Sequence, residues 1–309
     1  MRLSERTSGL SAGVSFVASL TLAAAAANAQ DFATARIVTE PLGNGLYVLF
    51  GQGENVIAGN MLVSIGEQGV LVVDDMVEGI VPKYQAAIAE IGGGPIDFAI
   101  NTHWHFDHSG GNPVLGPEGV RIVAHETSRE MMQRANVINL VTQTIDQPAY
   151  ALAALPVVTY DSAMRMHFNG HRIDLLHPGP AHTTGDTAVI LRDRNIAHLG
   201  DVFNTGGYPF IDADNGGSLE GVIAFCEAVL AELEPGAIVI PGHGPVSTYD
   251  GLAEYVSMLK TIRDRMSSLI RSGASLEQVV AARPSSDWDA SKGDPTMLLD
   301  RAYASMTRR

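Results

Sequence analysis

The sequence predicts an α/β fold in which helices cover a β-sheet. Strand-like apolar runs alternate with helical stretches along the chain, and this alternation is typical of layered α/β domains. Of the 309 residues, 46% are hydrophobic, so the chain can bury a sizeable core. Since no long polar linker divides it, we expect one domain over residues 30–309 that ends in a helical C-terminal tail.

In the first half of the chain, apolar runs separated by turn residues predict a series of strands. Gly43, Gly45 and Gly66 mark turns between the early runs. The predicted strands cover residues 37–40, 46–50, 60–65, 70–74, 96–101 and 121–124. Residues 81–91 and 126–137 show the pattern of helices, whereas residues 139–159 are apolar but irregular.

The second half continues the alternation. Strands are predicted at residues 164–168, 172–177, 187–192 and 196–199. Val222, Phe225 and Val229 recur at helical spacing around the single cysteine, Cys226, which we interpret as a helix-core residue and not as a metal ligand. Residues 249–309 are predicted to be largely helical.

One segment concentrates potential metal ligands. His103, His105, Asp107 and His108 lie within six residues, directly after an apolar run. Side chains alternate faces in an extended segment, so the first three share one side and His108 approaches from another direction. Because a tetrahedral zinc site holds at most four protein ligands, and an open one holds three, this cluster nearly fills one site by itself.

Further candidate ligands follow later apolar runs. His182, Asp201 and His243 each come after such a run and a Gly or Pro. This repeated construction places polar side chains on loops that a rigid sheet holds, where chemistry is usually found. Together with the first cluster, the added ligands fit two metal ions better than one.

At this point the pattern resembles the metallo-β-lactamase superfamily of zinc hydrolases. The matching residues follow the order of the family between about residues 37 and 243: the His103-x-His105-x-Asp107-His108 motif, His182, Asp201 after Leu199-Gly200, and His243 within Pro241-Gly242-His243-Gly244. The resemblance implies a four-layer αβ/βα sandwich, the metallo-β-lactamase fold.

The resemblance also implies a division of the ligands. His103, His105 and His182 would hold a first zinc ion, and Asp107, His108 and His243 a second, with Asp201 bridging the two. Asp74, at the end of an apolar run, sits where the family has an aspartate that orients the ligands. Manganese or iron would also suit these ligand types.

A pair of such ions implies hydrolysis by a bridging hydroxide, with Asp107 helping to orient it. Two cations can lower the pKa of a bridging water toward ~7, so no Ser or Cys nucleophile is required. The first predicted substrate is a β-lactam ring, which would make the chain an antibiotic-resistance enzyme. Asn215 resembles the asparagine that assists the oxyanion in lactam-hydrolysing members, although a plain turn residue is an equal interpretation.

Other substrates stay open. The segment after Asp201 contains no nearby Lys or Arg to hold a lactam carboxylate. Some β-lactamases have a cysteine at the position of Asp201. An aspartate there makes the ligand set resemble that of glyoxalase II-like dinuclear members. A lactone, ester, thioester or phosphodiester is therefore the alternative, and a non-enzymatic zinc-binding protein is a remote one. Whether residues 139–159 form a lid over the site is not decided by the sequence.

The N-terminus predicts export. Arg2 and Arg6 precede an apolar stretch over residues 10–27, and Ala27-Asn28-Ala29 fits a small-x-small cleavage site. We interpret residues 1–29 as a secretory signal peptide and expect a periplasmic enzyme with no stable membrane association after cleavage. An uncleaved membrane anchor is the alternative.

Charge indicates the class of partner. The formal net charge is −14, and the chain shows no basic stripe, which argues against nucleic acid and anionic lipid as partners. A small-molecule substrate is expected, and the oligomeric state is left open. The histidines outside the motif are predicted to lie at the surface or to support the ligands: His125, His167, His171, His177 and His198. Of these, His177 and His198 are the strongest candidates to be metal ligands instead.

Overall fold

Two β-sheets face each other, and helices cover the outer surface of each. The computed structural model describes residues 32–54 and 56–308. The predicted signal peptide, residues 1–29, lies outside the described residues. The predicted α/β class and the four-layer αβ/βα sandwich are confirmed.

The strands of the described chain are, in order, β1 Arg36–Gly43, β2 Leu46–Gln52, β3 Met61–Gly66, β4 Gly69–Val73, β5 Ile96–Ile100, β6 Arg121–His125, β7 Asn136–Asn139, β8 Thr144–Gln147, β9 Val158–Tyr160, β10 Ala163–Phe168, β11 His171–Leu176, β12 Ala188–Leu191, β13 Ile196–His198, β14 Ile238–Ile240 and β15 Ser247–Thr248. The α-helices are α1 Val81–Glu90, α2 Phe106–Ser109, α3 Asn112–Leu115, α4 Glu126–Met132, α5 Leu219–Leu230, α6 Tyr249–Arg271, α7 Leu276–Ala281, α8 Asp289–Lys292 and α9 Thr296–Thr307.

The first sheet has the order β1-β2-β3-β4-β5-β6-β9, and the second has the order β10-β11-β12-β13-β14-β15. Strands β4, β5, β6 and β9 run parallel to one another, as do β13 and β14. Parallel strands end at the same edge of a sheet, and the loops that carry the candidate ligands leave from the ends of β5, β13 and β14. The strand directions therefore bring these loops to one end of the sandwich.

Alternation along β4 shows how the layers form. Val70 and Val72 face the helical layer that contains α1, while Leu71 and Val73 face the second sheet. Side chains on a strand point alternately to its two faces, so a strand that is buried on both faces must be apolar throughout. The burial of both faces explains the unbroken apolar run in this segment.

The outer helices differ in extent between the two sheets. On the first sheet, Tyr84 and Ile88 of α1 are buried. On the second, α5, α6 and α9 form a larger layer to which Cys226 belongs. The prediction that Cys226 lies in a helix core is confirmed, since it is fully buried and its thiol donates to the Val202 carbonyl. No helix of the described residues is long and apolar enough to cross a membrane.

The helix predicted over residues 126–137 is too long. Helix α4 ends at Met132, and the chain enters β7 at Asn136. The Asn136 side-chain amide donates to the carbonyls of Met131 and Arg134, which satisfies backbone groups that a continuing helix would have used. The β-branched pair Val137 and Ile138 then favours a strand.

Residues 139–159 are more regular than predicted. Strands β7 and β8 form an antiparallel hairpin with the register Asn136↔Gln147 to Asn139↔Thr144, and β9 joins the first sheet farther on. Val141 at the tip of the hairpin has φ of 69°, an uncommon conformation for a β-branched residue. The period of two in so short a strand pair is too weak to recognise from sequence alone.

The packing of the helical layer on the second sheet leads us to expect different stability effects from a buried and an exposed leucine. Leu259 in α6 is fully buried, so Leu259→Ala should lower the free energy of unfolding by about 2–5 kcal/mol. Leu152 is 80% exposed, so Leu152→Ala should change it by less than about 0.5 kcal/mol. Urea unfolding followed by circular dichroism measures both, and equal effects would contradict the assignment of α6 to the core.

Candidate metal centre

The candidate ligands meet at one end of the sandwich. His103 and His105 follow β5, and α2 begins immediately afterwards, so that Asp107 and His108 lie on its single turn. The other three ligands come from the loop between β11 and β12, from the end of β13 and from the end of β14. All seven residues predicted from the sequence are brought together, and all lie within two groups of closely spaced donor atoms.

The first group consists of His103, His105, His182 and Asp201, with donor atoms within 4.8 Å of one another. His105 Nδ1 lies 3.0 Å from His182 Nε2, which lies 3.7 Å from Asp201 Oδ2. His103 Nε2 is buried and has no hydrogen-bond partner.

The second group consists of Asp107, His108, Asp201 and His243. His108 Nε2 lies 3.0 Å from Asp201 Oδ1 and 3.3 Å from His243 Nε2. Asp107 Oδ2 lies 3.1 Å from His243 Nε2. Asp201 Oδ1 is close to two imidazole nitrogens but makes no well-aligned hydrogen bond. Because Asp201 belongs to both groups, it lies between them.

These distances fit metal binding. Ligand atoms about 2.0–2.1 Å from a tetrahedral ion lie ~3.3 Å apart, and the spacings above bracket that value. The buried His103 Nε2 and Asp201 Oδ1, neither with a hydrogen bond, are costly in a closed interior unless something binds them. Both groups are therefore able to bind a metal ion.

The outer nitrogens of four rings are each held by an acceptor. The His105 Nε2–H donates to Asp212 Oδ2 at 2.9 Å, and the His182 Nδ1–H donates to the Phe210 carbonyl at 2.8 Å. The His108 Nδ1–H donates to Asp74 at 2.7 Å, and the His103 Nδ1–H donates to Thr102 Oγ1 at 3.0 Å. In the neutral ring, each bond keeps the proton on the outer nitrogen and leaves the inner nitrogen with a lone pair that faces the centre.

Asp74 takes the position that the sequence predicted for an orienting carboxylate. Its Oδ2 accepts from the His108 ring and from Thr102 Oγ1, and its Oδ1 accepts from the Thr102 backbone at 2.7 Å. Since Thr102 in turn accepts from His103, one carboxylate aligns a ring in each group.

Sequence reasoning missed Asp212 as a partner of His105. The residue is 1% exposed and lies in the loop that was considered only for Asn215. A metal-binding imidazole generally needs such a carboxylate or carbonyl partner, but 34 acidic residues are candidates in the sequence. Only the fold shows which of them reaches the ring.

The geometry around Asn215 does not match the predicted oxyanion role. The Asn215 amide donates to both oxygens of Asp212 and to the Val137 carbonyl, so both of its N–H groups are engaged. Asn215 thus positions the Asp212 carboxylate, which in turn orients the His105 ring. The amide that lines the metal cleft is Asn204, whose Oδ1 accepts from Gly206 N and whose Nδ2 makes no hydrogen bond to another described residue.

Two glycines make room for the ligands. A Cβ at Gly59 would lie 2.2 Å from the His108 ring, and one at Gly242 would lie 2.0 Å from Asp201 Oδ1. Both contacts are far shorter than real Cβ atoms allow, so any larger residue would displace a ligand. Close packing of backbone against the rings is therefore part of the site.

The two groups differ in the protons they hold. Burial, reinforced by the neighbouring histidines, lowers the pKa of His103 and His182. In the second group burial opposes the cation, but the carboxylates of Asp201 and Asp107 overcome it and raise the pKa of His243 to about 10 and that of His108 well above its ordinary value. Metal binding to the second group must therefore release protons.

The remaining histidines lie outside both groups. His198 is buried, and its ring bonds the Asn60 carbonyl and Gly200 N, which ties the two sheets together. His177 stacks on His125 with ring centroids 3.8 Å apart, and its Nδ1–H donates to the Asp186 carbonyl. These two histidines support the loops and are not members of either ligand group.

A cleft of about 180 Å³ opens onto the two groups. His105, Asp107, Asp201 and His243 form its polar floor. Its other lining residues are mostly apolar and come from α2, the β7–β8 hairpin, the loops and α9: Ile57, Phe106, Ile138, Leu140, Ile145, Asn204, Tyr208, Phe210 and Met297. The hairpin within the segment considered as a lid thus forms a wall of the cleft.

Comparison with known proteins identifies the domain. A family model described as "Metallo-beta-lactamase superfamily" matches residues 58–243, which include every candidate ligand. The chain is 28% identical over 145 residues to the 2,4-dinitroanisole O-demethylase subunit alpha of Nocardioides sp. (strain JS1661), a match that covers 46% of this chain and 40% of the relative. It is 25% identical over 160 residues to the acyl-coenzyme A thioesterase MBLAC2 of Bos taurus, covering 47% and 55%. The chain thus spans about half the length of these curated relatives.

Solved structures share the fold. The metallo-β-lactamase DIM-1 superposes with a TM-score of 0.57 at 18% identity, covering 73% of this chain and 98% of that one. A metallo-β-lactamase from Pontibacter korlensis superposes with a TM-score of 0.58 at 16% identity, covering 73% and 99%. At such identities the likeness concerns the fold alone.

The His105–Asp212 bond predicts a change in metal affinity. Asp212→Asn removes the negative charge that orients the ring, so we expect zinc to bind about 10- to 100-fold more weakly. Asp193→Asn is the matched control, because Asp193 bonds the His171 ring at 2.7 Å outside both ligand groups. Competition with a fluorescent chelator measures both affinities, and an unchanged affinity in Asp212→Asn would refute the orienting role.

Proposed function

Because the chain belongs to the metallo-β-lactamase superfamily, whose members are metal-dependent hydrolases, we propose that it cleaves the acyl C–O or C–S bond of a neutral ester, lactone or thioester. We further propose that His103, His105 and His182 hold one zinc ion, that Asp107, His108 and His243 hold a second, and that Asp201 bridges them. Manganese or iron is the proposed alternative to zinc.

The observation that carries this substrate class is the lining of the cleft. The described residues that line it include no Lys or Arg, while Phe106, Phe210 and Met297 are among its walls. An anionic group placed against these walls, away from the proposed metal positions, would lose hydration without gaining a Lys or Arg as partner, which is unfavourable. A neutral, largely apolar substrate suits the same surface.

When bound, metal ions at this centre would supply Lewis-acid activation of the scissile carbonyl and of a water molecule. Asp74, Asp212 and the Phe210 carbonyl hold the rings so that the inner nitrogens of His105 and His182 face the first group and that of His108 faces the second. Pre-alignment of this kind means that little reorganisation is needed during the reaction.

Asn204 is the proposed donor to the substrate carbonyl oxygen, in place of Asn215. It lines the cleft beside Asp201 and His243, and a backbone bridge pairs it with His243. A preorganised amide N–H directed at developing negative charge stabilises the transition state more than the ground state.

The β-lactam ring, predicted first from the sequence, is the second proposed substrate. Its strained carbonyl suits the same centre, and the superposed solved structures include β-lactamases. The carboxylate that such antibiotics carry nevertheless finds no Lys or Arg among the described lining residues. Export by a signal peptide over residues 1–29 and a periplasmic location remain proposals from the sequence.

A matched substrate panel tests the proposed reaction. We expect the zinc-loaded chain to hydrolyse an aryl ester, a simple lactone or an aryl thioester with kcat/KM above about 10⁴ M⁻¹s⁻¹, and a chromogenic cephalosporin more slowly. A chelator and Asp201→Ala should each abolish turnover. Preference for the cephalosporin would establish the β-lactam alternative, and no turnover on the panel would contradict both.

The assignment of Asn204 is tested separately. Asn204→Ala should lower kcat on the best substrate by about 100-fold without changing the metal content, since it removes only a donor to the carbonyl. Asn215→Ala should instead lower metal content and activity together, because it loosens Asp212. Measurements are steady-state kinetics and elemental analysis; an unchanged kcat in Asn204→Ala would rule out the proposed donor.

A further inference from the structure

The metal cleft is too small to hold a whole substrate. Its volume of about 180 Å³ is below the roughly 300–1,000 Å³ of typical ligand pockets. Any substrate larger than its reacting group must therefore extend beyond the cleft, into solvent or into a neighbouring cavity.

A larger apolar groove adjoins the cleft, and we name it the Tyr150 groove. Its volume is about 840 Å³. Phe106 and Ile145 line both the groove and the cleft, so these two side chains form the boundary between them. The lining residues of the groove are Phe32, Val77, Glu78, Gly79, Pro82, Phe106, Gly110, Pro113, Val114, Ile145, Asp146, Gln147, Pro148, Ala149, Tyr150 and Ala151.

The walls of the groove are fixed to the ligand motif. Tyr150 Oη lies 3.0 Å from Ser109 Oγ, and the backbone N–H of Tyr150 donates to the Met132 carbonyl. The Gln147 amide donates to the Trp104 carbonyl, between two candidate ligands in sequence. A groove built on such contacts is preformed, so a bound chain would not have to order it.

Charge restricts what the groove can accept. Glu78 and Asp146 are its charged lining residues, and no Lys or Arg is among the described residues that line it. A carboxylate or phosphate would be repelled, whereas a hydrocarbon chain would bury apolar surface. A second neighbouring cavity of about 650 Å³ has a more polar lining, because Glu40, Gln52, Asn60 and His243 are four of its twelve lining residues, whereas Glu78, Asp146 and Gln147 are three of sixteen in the Tyr150 groove. It is therefore less suited to such a chain.

We propose that the Tyr150 groove binds a linear, uncharged hydrocarbon chain of the substrate while the scissile bond lies in the metal cleft. This inference rests on the proposed ester, lactone or thioester hydrolysis and narrows it to substrates with a medium-length aliphatic chain. Coenzyme A thioesters fit less well as a whole, since their phosphates find no Lys or Arg in the described lining of the cleft or the groove.

The test is the dependence of kcat/KM on chain length for the zinc-loaded full chain. The probes are 4-nitrophenyl esters from acetate to octanoate and alkyl acetates from ethyl to octyl, which place the chain on either side of the scissile bond. Burial of each added methylene should raise kcat/KM by about two- to fourfold in one of the two series. The gain should appear mainly in KM.

Two variants locate the effect. Ala149 and Ala151 line the groove but not the cleft, so Ala149→Trp or Ala151→Trp should reduce the ratio of long-chain to acetyl kcat/KM at least tenfold. Val157→Trp is the control, because Val157 is 69% exposed and lines neither cavity, and it should keep the wild-type ratio.

The outcomes separate this inference from the proposed function. Acetyl ester turnover with a flat chain-length profile in both series would overturn the groove assignment and leave the reaction intact. No turnover on any ester would refute the reaction itself. A tryptophan variant that changes the oligomeric state in size-exclusion chromatography but keeps the chain-length gain would mean that a second copy covers the groove, and would also overturn the proposal.

Discussion

The carboxylate of Asp74 is the interaction on which the rest of the site depends. It is fully buried at the end of β4, where the backbone has φ of 62°, and it accepts bonds from Thr102 and from the His108 ring. A buried carboxylate without partners would cost several kcal/mol, so these bonds hold the ends of β4 and β5 in one arrangement. Through Thr102 the same group also aligns His103. The Thr102 carbonyl accepts from the backbone N–H of Thr187, which directly precedes β12 of the second sheet.

The two sheets are joined at this end by further polar contacts. Asn60 donates from its backbone to the Gly242 carbonyl and from its side chain to the carbonyls of Pro241 and Gly244, on either side of His243. Ligands from both sheets are thus fixed relative to one another by neutral hydrogen bonds. Because the loops are held from several directions, the histidine nitrogens and carboxylates that they carry meet at the candidate metal centre without relying on a flexible segment.

Particular elements show what sequence patterns can and cannot predict. The apolar runs of β2 to β6 and β10 to β13 were found within a residue or two, because both faces of most of these strands are buried and their composition is correspondingly apolar. The largely exposed β1 extends three residues beyond its predicted end at Glu40. Helix α4 was overextended, since a side-chain cap from Asn136 ends it. The β7–β8 hairpin was missed because four-residue strands carry too little periodicity to distinguish them from a loop.

The sequence by itself determined the α/β class, the family resemblance and seven residues that the fold brings to one place, because short spacings within a loop and apolar runs before it are local properties. Only the tertiary structure decided that Asp212 holds His105, that Asn204 and not Asn215 lines the cleft, and that an apolar groove adjoins it. These contacts join residues up to about a hundred positions apart. Such pairings arise from strand order and layer packing, which no local pattern encodes.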